Sequence, residues 1–170
     1  SGDQVEAVET TAAVIQTRTV LNAAGPWAGI VGQMAGVHIP IVPIRRQMYT
    51  TTPMPEIPED FPFVIDFAQS LYFHREGNGL LIGMSNANEK PGLDQNVDDE
   101  FELTNMEAAA ARLPLMGRAG RVSHWAGLYE VTPDAHPIFG KTPVNGLFVV
   151  AGFSGHGFMH GPVAGKLMAE

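Results

Sequence analysis

"LFVVAGFSGHGFMHGP", Leu147 to Pro162, runs from five apolar residues into a stretch with four glycines and two histidines. A short, wholly apolar run predicts a strand covered on both faces. The segment after it, Gly157 to Glu170, predicts a helix whose Pro162 lies in the first turns or bends it. Three jobs suit the glycines between them. They permit a tight strand-to-helix turn. His156 and His160, at i and i+4, can hold a metal, although the glutamate of H-E-x-x-H is missing and the chain has no cysteine. Glycines also let a cofactor approach the backbone, and the free amides of a helix start face it with partial positive charge. The spacing is not G-x-G-x-x-G, so it is not a nucleotide fingerprint. On these residues alone, turn, metal and cofactor all stay open.

The chain around this stretch narrows the choice of partner. Its 170 residues suit one domain with a real core, and 45% are hydrophobic against 16% charged. With 18 acidic and 10 basic residues the net charge is −8, and no basic run interrupts it. A phosphate backbone is repelled by such a surface, so no nucleic acid is expected. The absence of cysteine removes disulfides, thiolate zinc sites and a cysteine nucleophile, and suits a reducing compartment, here read as the cytoplasm. No apolar run approaches the about 18 residues of a membrane span, and the polar start "SGDQVEAVET" is neither signal nor transit peptide.

Residues 5–22 read as short strands with a polar turn near Thr10 and Thr11. In "AAGPWAGIVGQMAG", Pro26 opens a helix and Gly36 ends it, with Trp27, Ile30, Val31 and Met34 as a buried stripe. A strand entering such a helix is a place for an anion or phosphate. "IPIVPIRRQMYTT" predicts an extended strand. "SLYFHREGNGLLIGMS" predicts a hairpin: strand 70–76, a turn at Gly77-Asn78-Gly79, strand 80–85. Period two puts Tyr72 and His74 on one face, Leu71 and Phe73 on the other. "EKPGLDQNVDDEFE" reads as a solvated acidic loop. Thr104 and Glu107 form a capping box ahead of "AAAARL", and "RVSHWAGLYEVTPD" is a strand and turn. The order is that of an α+β protein. Residues 41–130 form a mixed, largely antiparallel sheet domain with flanking helices, and the terminal stretches 1–40 and 131–170 belong to an α/β layer.

Three ordered motifs, "VLNAAGPWA" (20–28), "WAGLYEVTPDAHPIFG" (125–140) and "LFVVAGFSGHGFMHGPVAGKLMAE" (147–170), resemble the FAD-dependent amine and amino-acid oxidoreductases of the D-amino-acid oxidase superfamily. The branch of sarcosine oxidase, dimethylglycine dehydrogenase and flavin-linked proline dehydrogenase looks most similar. The resemblance implies that 1–40 and 131–170 are pieces of the FAD-binding domain and 41–130 the substrate domain. It places Ala24, Gly25 and Trp27 against the flavin nucleotide, Gly127 beside the flavin, and Gly155, His156, Gly157, Phe158 and Met159 along the ring's pyrimidine edge. There a helix start stabilises the negative charge of reduced flavin. The implied reaction oxidises the C–N bond of a small amine or amino acid, with hydride passing to flavin N5. Tyr72, Tyr129 and His74 are its substrate-facing candidates, and Arg46 a carboxylate anchor.

The departures from the family pattern are informative. Without cysteine, the covalent flavin link that some relatives make near Gly127 is impossible, so FAD is expected to be non-covalent. Met159 stands where sarcosine-oxidising relatives carry a carboxylate-gripping lysine. Leu81 stands at a lysine position linked to oxygen reactivity, which favours a dehydrogenase over an oxidase. None of the 19 glycines forms the G-x-G-x-x-G that holds the FAD pyrophosphate. The expectation is therefore the C-terminal part of a longer enzyme, inactive alone and holding FAD weakly or not at all. Its partners would be a small amine or amino acid, the N-terminal FAD-binding portion of the parent chain, and further copies of itself in a homo-oligomer. The alternative is a non-catalytic binding or assembly module built on the same fold. No metal is assigned.

Overall fold

The computed structural model describes residues 4–170. It divides into two compact units, Ser1–Ile44 with Tyr129–Glu170, and Arg45–Leu128. The fold is mixed α+β.

In the first unit, β1 (Ala7–Glu9) and β2 (Val14–Gln16) form an antiparallel pair. Thr10 closes the turn between them, donating its hydroxyl to the Ala13 carbonyl at 2.8 Å. Next, β3 (Val20–Asn22) leads through a 3-10 turn, Gly25–Trp27, into α1 (Ala28–Met34). The large apolar stripe expected to be buried on α1 is not. Trp27, Ile30 and Met34 are exposed, Val31 is half-buried, and the residues inside are Ala28 and Gly32. The reason is close approach. A Cβ on Gly32 would stand 2.8 Å from both Ile39 Cδ1 and the Val37 carbonyl, and one on Gly29 would stand 3.4 Å from the Ile39 carbonyl. The helix lies against residues 37–41 on its smallest side chains.

The second unit is built on a five-stranded sheet of order β5-β6-β7-β4-β8. Its strands are β4 (Val42–Thr51), β5 (Val64–Asp66), β6 (Leu71–Glu76), β7 (Gly79–Met84) and β8 (Arg121–Val131); β4 and β8 each cross the boundary between units. β6 and β7 form the expected hairpin, with Tyr72 opposite Gly83 and His74 opposite Leu81. One face carries Tyr49, Leu71, Phe73, Leu80 and Ile82 into a core closed by Ala109 of α2 (Asp99–Arg112) and Met116.

The cap of α2 lies six residues before the expected one. Asp98 is its cap, accepting from the amides of Glu100 and Phe101, both at 3.1 Å, and three acidic residues fill a first turn where the helix dipole favours them. Thr104 is mid-helix and bonds back to the Glu100 carbonyl. Buried Gln47 ties the helix to β4, bonding both the carbonyl and the amide of Asp98. The acidic loop is not merely solvated. Its Glu89 and Asp94 converge with Asp98 on Arg45, whose side chain is only 15% exposed.

Back in the first unit, β9 (Ile138–Lys141) pairs antiparallel with β10 (Leu147–Ala151), and β10 pairs parallel with β3. Only alternate residues of β10, Leu147, Val149 and Ala151, are buried; Phe148 and Val150 are half-covered, where coverage on both faces was expected. One face of this strand meets the core of the unit, and the other is only partly covered. The final helix, α3 (Gly157–Ala169), contains Pro162 and buries only Ala164.

Candidate functional site

Parallel pairing of β3 with β10, Asn22 opposite Val149, sets two strand-to-helix connections side by side. One is 23–27, the other 152–156. The carboxyl ends of adjacent parallel strands are where open α/β sheets bind ligands. Ala24, Gly25 and Trp27 thus come to the same edge as Gly155, His156, Gly157, Phe158 and Met159.

Local chemistry shapes each connection. Asn22, 2% exposed, donates its side-chain amide to the Ala28 carbonyl at 2.9 Å and accepts from the Ala24 amide at 3.2 Å. This closes the turn as a loop and lets Gly25 take a left-handed φ of 53°. In the second connection Gly152, Ser154 and Gly155 all have positive φ, at 85°, 52° and 95°. Both glycines also admit neighbours. A Cβ on Gly152 would run into Thr132 Cγ2, and one on Gly155 into the Tyr129 ring. The tight-turn role of these two glycines is therefore real, whatever else they do.

Glu130 joins the two connections. Its carboxylate accepts from the Gly152 amide at 2.8 Å and stands 3.6 Å from the place a Gly25 Cβ would take. Sequence reasoning passed over it; the signal was a lone carboxylate in the otherwise apolar "WAGLYEV". Beside it, Ser154 Oγ donates to the Gly152 carbonyl and accepts from the Thr132 amide, both at 3.3 Å. The turn beyond Thr132 is held by Asp134, whose carboxyl the His136 amide keeps below the usual range.

The start of α3 is open. No side chain caps it, so its leading amides are not consumed by the protein's own side chains. Phe158 is fully exposed and Met159 largely so. His156 and His160 stack with centroids 6.0 Å apart, and His160 also leans on Phe153. Among the described residues, the trio with metal-ligand geometry is instead Asp99, Glu102 and His124, with ligand atoms within 4.8 Å of one another. There Arg121 already sits 3.0 Å from both Glu102 oxygens.

The family model for FAD dependent oxidoreductases matches residues 1–170. The chain belongs to that family. It is 34% identical to mitochondrial sarcosine dehydrogenase of Mus musculus, over 98% of this chain and 19% of that protein. It is 31% identical to glycine oxidase of Pseudomonas aeruginosa, over 99% of the chain and 45% of the relative. Among solved structures, L-proline dehydrogenase from P. horikoshii superposes with a TM-score of 0.87 at 31% identity, covering the whole chain and 46% of that protein. The chain thus spans less than half the length of these relatives.

In the second unit the structure gathers another set of the expected residues. Alternation buries Gln47, Tyr49 and Thr51 and turns Arg46, Met48 and Thr50 to the opposite face of β4. The pairings Met48–Gly83–Tyr72 and Thr50–Leu81–His74 carry that face across the sheet. Arg46, Tyr72 and His74 therefore share one face. His74 Nδ1 lies 2.7 Å from the Arg75 carbonyl, which can only accept. Nδ1 therefore carries a proton, and in the neutral ring the lone pair is on Nε2. Phe63, which sequence reasoning did not single out, stacks parallel to both Tyr72 and His74. Tyr129 lies in the first unit, over Gly155; Gly127 lies in the second, with open space where a side chain would be. Among the described residues, no helix is long and apolar enough to cross a membrane.

Proposed function

We propose that this chain serves in an FAD-dependent oxidoreductase that oxidises the C–N bond of a small amine or amino acid. Sarcosine, dimethylglycine and proline head the substrate class, consistent with what similar proteins are named for. The observation that carries the reading is the pairing of β3 with β10, which sets the 23–27 turn beside the uncapped start of α3.

In this reading Ala24, Gly25 and Trp27 flank the nucleotide. The amides of Gly157, Phe158 and Met159, with Gly155 and His156 leading in to them, would hold the pyrimidine edge of a non-covalently bound FAD; Gly127, in the second unit, is a separate cofactor candidate. Each partly buried helix-end interaction of this kind contributes about 0.3–2 kcal/mol toward negative charge. Glu130 locks Gly152 and keeps the connection rigid. FAD supplies the hydride acceptor. The chain's own residues orient the substrate: on the sheet face of the second unit Arg46 holds a carboxylate, Tyr72 shapes the wall, and a neutral His74 accepts a hydrogen bond from the amine at Nε2; Tyr129, in the first unit, is a separate substrate-facing candidate. Leu81, apolar where an oxygen-activating lysine is expected, favours a dehydrogenase. The exposed apolar side chains of α1 and α3, among them Ile30, Met34, Val163 and Leu167, are covered by the rest of the parent protein or by further copies in an oligomer. The cysteine-free composition suits the cytoplasm.

The test is the full-length protein. It should purify yellow, and sarcosine, dimethylglycine or proline should bleach its flavin under anaerobic conditions, with a dye reoxidising it faster than oxygen does. A colourless protein releasing no flavin on denaturation rejects the reading. A yellow protein that no amine or amino acid bleaches leaves the fold a binding module.

A further inference from the structure

Gly83 sits in the middle of β7, where glycine normally weakens a strand. Its backbone does not need glycine, since its φ is outside the left-handed region. What it needs is the missing side chain. A Cβ there would run into Cζ and the hydroxyl oxygen of Tyr72, its cross-strand partner. Strand side chains usually stand roughly perpendicular to their sheet. Tyr72 instead lies down across β7, and Gly83 is buried beneath it. From the other side Phe63 lies parallel to the phenol, with ring centroids 6.0 Å apart and planes 7° apart. The same Phe63 ring stacks on His74 at 5.2 Å.

We infer that Gly83, with Phe63 as a second support, is a positioning residue that lays the Tyr72 phenol flat and so sets how large a substrate this sheet face admits. The inference rests on the proposed function, which makes this the substrate face. The phenol forms the floor of the face rather than a post standing on it. A side chain at 83 lifts the phenol into the space above, where it meets the bulkier substituent of a substrate such as proline before it meets a small one such as sarcosine. A protective role, with the ring covering exposed strand backbone, explains the contact but not such discrimination.

The experiment uses the full-length flavin-bound protein carrying isotope-labelled glycine. The Gly83 Hα resonance should be displaced upfield by the ring current of Tyr72, and the displacement should vanish in Tyr72→Leu. An unshifted Gly83 Hα overturns the inference whatever the kinetics. Gly83→Ala should raise KM for proline relative to sarcosine by about tenfold, the order expected for added bulk in an apolar site. The effect should fall on KM more than on kcat. In a Tyr72→Leu background the same change should have no further effect, because Gly83 acts through the phenol. Phe63→Leu, at an exposed position that tolerates substitution, should loosen the ring and give a weaker shift in the same direction even if Gly83→Ala folds poorly. Additive effects of Gly83→Ala and Tyr72→Leu overturn the inference, as does a KM ratio that moves in Tyr72→Leu but not in Gly83→Ala. If the ring-current shift is present and none of the three variants moves the KM ratio, the assignment of this face to substrate falls, and the size filter with it.

Discussion

Asn22 offers the sharpest mutational test, because one buried side chain holds an entire connection. Its amide nitrogen bonds the Ala28 carbonyl at 2.9 Å and its oxygen takes the Ala24 amide at 3.2 Å. Asn22→Ala removes both bonds, each contributing roughly 0.5–1.5 kcal/mol net. It also strands the Ala24 amide in a half-buried turn, at a cost of roughly 1–3 kcal/mol where water cannot reach it. The expected loss is therefore about 2–6 kcal/mol, read from urea denaturation of the full-length protein. Because the turn carries Gly25 and Trp27, FAD affinity should also fall by at least about tenfold, equivalent to ~1.4 kcal/mol. Asn22→Asp sharpens the point. It keeps the acceptor for Ala24 but sets a carboxylate against the Ala28 carbonyl, so it should be at least as harmful at neutral pH and milder once protonated. If Asn22→Ala costs under about 0.5 kcal/mol, the range of an ordinary surface change, and FAD binding is unaltered, the account of this turn is wrong.

Three further outcomes are expected. Gly155→Ala forces a non-glycine residue to φ 95° and drives its Cβ into Tyr129. It should destabilise by about 2–4 kcal/mol from strain plus overpacking, and an unchanged melting temperature would refute the close contact. Burial, and then the Glu102 carboxylate, raise the Tyr49 phenol's pKa. The folded protein keeps that proton while the unfolded chain releases it above about pH 10. Stability from this group is whole below that pH and drains away as pH climbs further; Tyr49→Phe should flatten the alkaline slope of unfolding free energy, and an identical slope would contradict this. The third concerns Asn105, fully buried on α2, whose side-chain amide has no hydrogen-bond partner. Asn105→Leu should stabilise by about 1 kcal/mol or more in denaturation, whereas a clear loss would show that the amide has a role.

The parts of this protein legible in its sequence are those set by neighbours in the chain. The β6–β7 hairpin follows from period two and a glycine-rich turn, and the sidedness of Tyr72 and His74 follows with it. The turn at Thr10, the strand before Gly152 and the helix after it are local in the same way. The misreadings have tertiary causes. The α1 helix turns its small residues inward because Gly29 and Gly32 allow contact with the backbone of residues 37–41, a choice that hydrophobicity alone inverts. The stretch leading into α2 looked merely solvated because Glu89, Asp94 and Asp98 answer to Arg45 and Gln47, about 44 to 53 residues earlier. Glu130 and Gly83 went unnoticed for the same reason. Each has meaning only through a partner brought by strand pairing: Gly152 for one, Tyr72 for the other.

The most direct measurement is amide hydrogen exchange of the full-length protein with and without FAD. If the ends of β3 and β10 form the cofactor edge, FAD should slow exchange in two separate peptides, one spanning residues 23–28 and one spanning residues 155–160. Slowing confined to other regions, with both of these peptides exchanging as in the flavin-free protein, would contradict the account at its centre.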